Sequence, residues 1–295
     1  MDNLNKKIFL VETKKYFLKN INNDSVKLIY SDSSRLKKTI RKIIFKFNLP
    51  FYSFFFSDWK YELKKYNTVI ILDTSFRRQI VKYIKKVNPN CRVIFYYWNL
   101  INREDEYRVI NYQYLKEKNI DEFWTFNLND AKKYDLKYNS QFYTNDIKLN
   151  FMDKFDNDII FVGRNKNRKS LIVDLKSKLE NQNIKCDFRI IENVKELITY
   201  DKYLEMLSKS KVILDIINEN ETGLTLRCLE ALFFEKKLIT NNKDIKNYDF
   251  YKKNNVFILG EDDFKNIKSF INGEYENINS DIVSFYDYNN WLERF

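Results

Sequence analysis

Histidine is absent from this 295-residue chain. That absence removes the Ser/His/Asp triad, the Cys/His dyad, histidine general bases and most histidine-containing metal sites. Cysteine is scarce: Cys91, Cys186 and Cys228 form an odd set with no close pair, each in or beside an apolar segment. They read as small core residues in a reducing compartment, with neither a disulfide framework nor a zinc site. No stretch approaches the roughly 18 apolar residues of a membrane span, and the apolar run in the N-terminal "MDNLNKKIFLVETKK" is too short for a signal peptide. The expected location is the cytoplasm, with peripheral contact to a membrane left open. Glycine is rare as well, four in all, and one of them opens the stretch "GLTLRCLEALFFEKKLITNN", 223 to 242.

What is present is enough to fold. Hydrophobic residues make up 44% and charged residues 32%, too apolar a balance for disorder. The length suggests two domains of roughly 100–150 residues, here expected at 1–150 and 151–295 with a polar linker near 144–156. A net charge of +11 favours anionic partners such as nucleotide phosphates, nucleic acid or an acidic membrane face. The basic residues are dispersed along the chain, and solvated charge is the competing explanation.

Short β-branched and aromatic runs alternate with helical periodicity, which predicts parallel sheets built from βαβ units. The first half offers strands at 68–73, 92–98 and 122–126, with Phe76, Ile80, Val81 and Ile84 marking a helix between the first two. The second half offers strands at 158–163, 186–191, 211–217, 236–240 and 255–259, with helices near 167–181, 201–209 and 224–234. The expected fold class is α/β, two Rossmann-like doubly wound parallel-sheet domains. The closing "SDIVSFYDYNNWLERF" reads as a terminal helix that either caps its own domain or packs back across the linker.

Ligands of such sheets bind beyond the carboxyl ends of the strands. One strand there runs into Gly163 and Arg164, followed by a basic loop that contains Lys169; glycine permits close approach and arginine matches a pair of phosphate oxygens, the alternative being a routine strand-to-helix turn with a solvated basic loop. Another leads through Thr222 and Gly223 into a helix starting near Leu224. The amides of Gly223, Leu224 and Thr225 then form an anion site at its N-terminus. Leu226, Leu229 and Phe233 mark the buried stripe of that helix, with Arg227 and Glu230 side by side on one flank. The set suits a nucleoside diphosphate, with phosphates on the amides and Arg227 and ribose hydroxyls on Glu230. The plainer alternative is a surface salt bridge between Arg227 and Glu230.

"FVGRNKNRKS", "YLEMLSKSKVILDI", "ETGLTLRCLEAL" and "KKLITNN" follow one another as in the C-terminal half of GT-B glycosyltransferases, which the chain resembles over about 158 to 260. The resemblance is especially to bacterial enzymes of lipopolysaccharide or capsular polysaccharide synthesis. The resemblance implies two domains facing a cleft, a nucleotide-sugar donor held by Gly163, Arg164 and Glu230, and metal-independent transfer without a cofactor. Retaining members often carry a second glutamate eight positions before the first; Thr222 stands there instead. The acceptor is expected to be a cell-envelope glycan or a lipid-linked molecule, bound by the first domain.

Asp32, Asp73 and the "WNLINRED" loop after Trp98 are the carboxylate-bearing candidates for that side, and Asp73, at the end of a buried strand, is the candidate general base. Its alternative is to cap a helix beginning near Ser75. "DND" at 156–158 has the letters of a metal motif but precedes a strand, away from the carboxyl ends. The segment 34–59 combines an apolar stripe of Leu36, Ile40, Ile43 and Phe47 with Lys37, Lys38, Arg41, Lys42 and Lys46, then an aromatic cluster. It reads either as a domain helix with its stripe in the core or as an interfacial segment on an anionic membrane. Two rival functions remain: a non-catalytic sugar-nucleotide or glycan-binding partner, and a nucleic-acid binder. The favoured partner set is a nucleotide sugar and a glycan acceptor, without nucleic acid.

Overall fold

The computed structural model describes residues 6–13, 16–21, 24–31, 34–101, 119–150, 154–218 and 221–295. They form two compact units, Met1–Ser140 with Phe295, and Gln141–Arg294. Each is a Rossmann-like, doubly wound parallel α/β unit, the class expected from the sequence.

In the first unit the strands β1 (Lys7–Val11), β2 (Val26–Leu28), β3 (Thr68–Leu72), β4 (Arg92–Tyr97), β5 (Glu122–Thr125) and β6 (Lys137–Tyr138) pair in the order β2-β1-β3-β4-β5-β6. β1 and β3 are buried at every position, as parallel strands covered on both faces must be, which explains their unbroken apolar runs. β1 and β2 add to the expected set: β1 is the short apolar run near the N-terminus, and β2 has only three residues. The helix Arg78–Val87 buries Ile80, Val81 and Ile84 against this sheet, on the predicted spacing.

The second sheet contains β7 (Asn157–Arg164), β8 (Cys186–Ile191), β9 (Ser210–Asp215), β10 (Lys237–Thr240) and β11 (Val256–Ile258), ordered β11-β10-β9-β7-β8. The helices Lys169–Glu180, Tyr200–Ser208 and Leu226–Phe233 connect its strands. Counted within each unit, both sheets run 2-1-3-4-5, with a sixth strand added in the first. The direction of winding therefore reverses between β1 and β3, and again between β7 and β9; this is where such sheets bind ligands.

The division between the units falls at 140, ahead of the boundary expected at 150. The reason is packing: the Phe142 ring lies 4.1 Å from that of Trp291, and Tyr143 exchanges backbone hydrogen bonds with Tyr286 and Tyr288. The expected terminal helix is two short ones, Ser280–Phe285 and Tyr288–Glu293. The last residue, Phe295, belongs to the first unit, edge-on to Tyr96 and Trp124. Cys91 and Cys228 are buried and Cys186 half-buried, all three as free thiols.

Candidate functional site

The ladder between β7 and β9 ends at Ile160↔Ile213, although β7 continues to Arg164 and β9 to Asp215. Beyond that point the strands separate and their facing carbonyls lose strand partners, so other donors must serve them. Two arginines do. Arg227 donates from Nη2 to the Val162 carbonyl at 2.9 Å and from Nη1 to Asp215 Oδ1 at 3.0 Å. Arg168 donates to the carbonyls of Ile216 and, at 3.3 Å, Arg164. Each guanidinium thus spans from one separated strand end to the other, and both lie over the Phe161 ring, 5.0 Å and 5.5 Å from its centre.

Gly163 makes this possible by having no side chain. A Cβ there would strike the Arg227 guanidinium and come within 3.1 Å of the Phe161 ring and 3.3 Å of Arg168 Nη2. Because Arg227 is pinned at both ends, it has little room to retreat. Gly163→Ala is expected to lower stability by about 1–3 kcal/mol, the usual range for overpacking. A urea midpoint equal to the parent's would mean that Arg227 does not run past the glycine.

The charge balance in this crevice favours anions. Arg227 has a carboxylate partner in Asp215, which is fully buried and also bonded by Cys228 Sγ and Thr240. Arg168 is buried too, yet makes no ion pair among the described residues, and its Nε is buried without a hydrogen-bond partner. Burial, and then the neighbouring Arg227 charge, pull its pKa below the usual arginine value. Arg164 is exposed at the mouth.

Gly223 turns the chain at φ 88 and gives its carbonyl to Asn242 Nδ2 at 2.9 Å. The helix begins at Leu226, later than expected, with Thr225 at the cap position and no side-chain cap. The amides of Gly223, Leu224 and Thr225 accordingly lie in the turn ahead of the helix, not in its first turn; Leu224 is buried and Thr222 half-buried.

Two further expectations change. Arg227 and Glu230 are not a surface pair: Arg227 turns to Asp215, and Glu230 is only 2% exposed. The helix is packed on more than one side, burying Cys228, Leu229, Ala231 and Leu232 as well, so the flank expected to be open is closed. Both Glu230 oxygens are taken, Oε1 by the Tyr200 hydroxyl and Oε2 by the Tyr203 hydroxyl, each at 2.7 Å. Burial pushes the Glu230 pKa up to about 7, against the opposing pull of the two tyrosine bonds and Arg227. Lys169 points elsewhere: its ammonium is 2.9 Å from Glu192. Arg168, one residue earlier, enters the crevice in its place, and its neighbours in a basic loop gave no sequence signal to single it out.

In the first unit Asp73 follows β3 at the switch point. It opens a 3-10 turn, Asp73–Ser75, and the next helix starts at Arg78, so it is not the cap of that helix. Its oxygens accept from the Thr74 amide at 2.7 Å and from Asn99 Nδ2 at 3.1 Å. Burial raises its pKa above the ordinary value, against hydrogen bonds from Asn99, Thr74 and Trp98, a direction that suits a proton acceptor. Glu12, just past β1, faces the same point: its amide donates to Ser75 Oγ at 3.1 Å and its carboxylate is 3.6 Å from Arg41. It was hidden from sequence reasoning because β1 itself was. Asp32 and residues 102–105 of "WNLINRED" lie outside the described residues. Asp158 of "DND" pairs with Lys211 at 2.8 Å at the amino end of β7, opposite the crevice.

The sequence matches no family profile and no curated protein. Among solved structures, the chain is similar to an alpha-glucosyltransferase in complex with UDP and a 13-mer DNA containing a central A:G mismatch. Identity there is 14% over 98% of this chain and 92% of that one, with a TM-score of 0.43. It is also similar to a GtfA/B complex bound to UDP and GlcNAc, at 10% identity over 80% of this chain and 55% of that one, TM-score 0.26. At such scores neither likeness assigns a function to this chain.

Proposed function

We propose that this protein is a glycosyltransferase that takes its sugar from a nucleotide-diphosphate donor held at the β7/β9 switch point. The observation that carries this reading is the buried cation Arg168, which makes no ion pair among the described residues and whose Nε has no hydrogen-bond partner, beside a helix N-terminus with no side-chain cap, at the carboxyl ends of a parallel sheet. A diphosphate is the dianionic group that such a place attracts. Arg164 at the mouth contacts the phosphates, and Thr222, Gly223, Leu224 and Thr225 supply the turn that receives them. Arg168 and Arg227 hold the field from behind, stabilising the leaving diphosphate without a metal. Lys169 joins only by leaving Glu192. Glu230 meets the ribose only by exchanging a tyrosine hydroxyl for a sugar hydroxyl. Asp73 in the first unit is the proposed base toward an acceptor hydroxyl, and the acceptor class is a cell-envelope glycan or lipid-linked molecule on the cytoplasmic side.

The test is thermal unfolding with UDP, GDP, ADP, CMP and dTDP. A nucleotide at about 100 times its dissociation constant adds roughly 2.7 kcal/mol of stability. One nucleoside diphosphate is expected to give that shift, and Arg164→Ala to abolish it without altering the unliganded midpoint. If no nucleotide shifts the parent protein, the donor-site reading fails.

A further inference from the structure

The helix Arg35–Lys46 is amphipathic, and it is mounted with its apolar stripe outward. Its packed side is made by Arg41, which lies 3.7 Å above the Tyr30 ring, with Ile44 and Phe45 against the core of the first unit. Leu36, Ile40, Ile43 and Phe47 project about a third of a turn away at ~100° per residue, and all four are exposed, Leu36 at 70% and Phe47 at 63%. The turn that follows continues the surface: Phe51 and Phe54 are 78% and 80% exposed. Phe45 against Tyr52 ties helix and turn together.

Phe51 adds a second, independent sign. It sits at φ 69, a left-handed conformation that costs a bulky side chain about 1 kcal/mol or more. A strained backbone that holds an aromatic ring in water gains nothing for the fold on its own.

We infer that this face is a membrane-docking surface that lies in the interface of an anionic lipid bilayer. Arg35, Lys37, Lys38, Lys42 and Lys46 flank the stripe, exposed, and none forms an ion pair among the described residues. They complement acidic headgroups while the aliphatic and aromatic side chains enter the acyl boundary. A second copy of the chain would bring these like charges together, and a nucleic acid offers no apolar counterpart to the stripe. No described helix is long and apolar enough to cross a membrane, and a helix of 12 residues lies in the interfacial plane instead. The inference stands apart from the nucleotide site, which is in the other unit.

The experiment is co-sedimentation of the full chain with vesicles of phosphatidylcholine alone or mixed with phosphatidylglycerol. The acidic lipid is expected to raise the bound fraction's partition coefficient at least about tenfold, through several lysines acting together, and added salt to reverse the gain. Phe51→Asn with Phe54→Ser is expected to abolish pelleting while the thermal midpoint holds or rises, since asparagine tolerates the left-handed backbone. Equal pelleting with the two lipid mixtures, equal pelleting of variant and parent, or no pelleting overturns the inference. So does a dimer, or binding to an arbitrary oligonucleotide, that the same substitutions remove in place of vesicle binding.

Discussion

Replacing Arg227 with alanine is expected to cost about 3–5 kcal/mol of folding stability, the range for removing one partner of a buried ion pair. Asp215 is fully buried, and its Oδ1 is held by Arg227. Without the guanidinium the carboxylate keeps its burial and loses its counter-charge, while the Val162 carbonyl loses its donor where the β7/β9 ladder has already ended. Arg227→Lys is expected to recover only part of the loss, because one ammonium cannot reproduce the guanidinium fork across both strands. In the double variant Arg227→Met with Asp215→Leu, much of the loss should return, since no unpaired charge stays inside. Urea unfolding of the three variants beside Arg164→Ala separates the roles. Arg164 is exposed, so its loss should stay within about 0.5 kcal/mol and affect only ligand response. A parent-like urea midpoint for Arg227→Ala would show that the staple between the strands is not formed, and with it the crevice.

That contrast shows what can be read along a chain and what cannot. The buried strands were legible because a parallel strand covered on both faces is an uninterrupted apolar run, as "TVIIL" is in β3. The same signal brought Gly163 and Arg164 to the carboxyl end of a strand, but it put them in the loop beyond it, whereas they are the last two residues of β7, paired with Ile190 and Ile191 of β8. The crevice depends on sheet order, which comes from pairings between distant segments: Arg227 finds Asp215 twelve positions back, and Glu230 finds Tyr200 and Tyr203 thirty and twenty-seven back. Helical projection correctly put Arg227 and Glu230 near one another but could not show that tertiary partners compete for each. The stripe of the helix Arg35–Lys46 was plain from its spacing. Its direction was not, because periodicity marks an apolar side without saying what that side faces.

The second large effect concerns Glu230 and pH. The folded-state pKa is pushed up from 4.5 to about 7 by burial, so between those values the folded chain keeps a proton that the unfolded chain releases. The corresponding stabilisation is complete below about pH 4.5 and is lost as the pH rises through about 7, a total of about 3 kcal/mol. In Glu230→Gln the side chain keeps its shape and carries no ionisable group. Urea unfolding at about pH 4 and about pH 8 should therefore show the parent losing about 3 kcal/mol more than the variant over that interval. The sign matters for the proposed donor site. The ionised carboxylate can accept from two hydroxyls at once, whether from Tyr200 and Tyr203 or from a ribose, whereas the protonated form must donate one bond. Nucleotide affinity is accordingly expected to rise with pH across the same window in the parent and to stay flat in Glu230→Gln. Equal stability slopes for parent and variant would mean that the two tyrosines hold the carboxylate ionised throughout, and the affinity difference between high and low pH should then vanish as well.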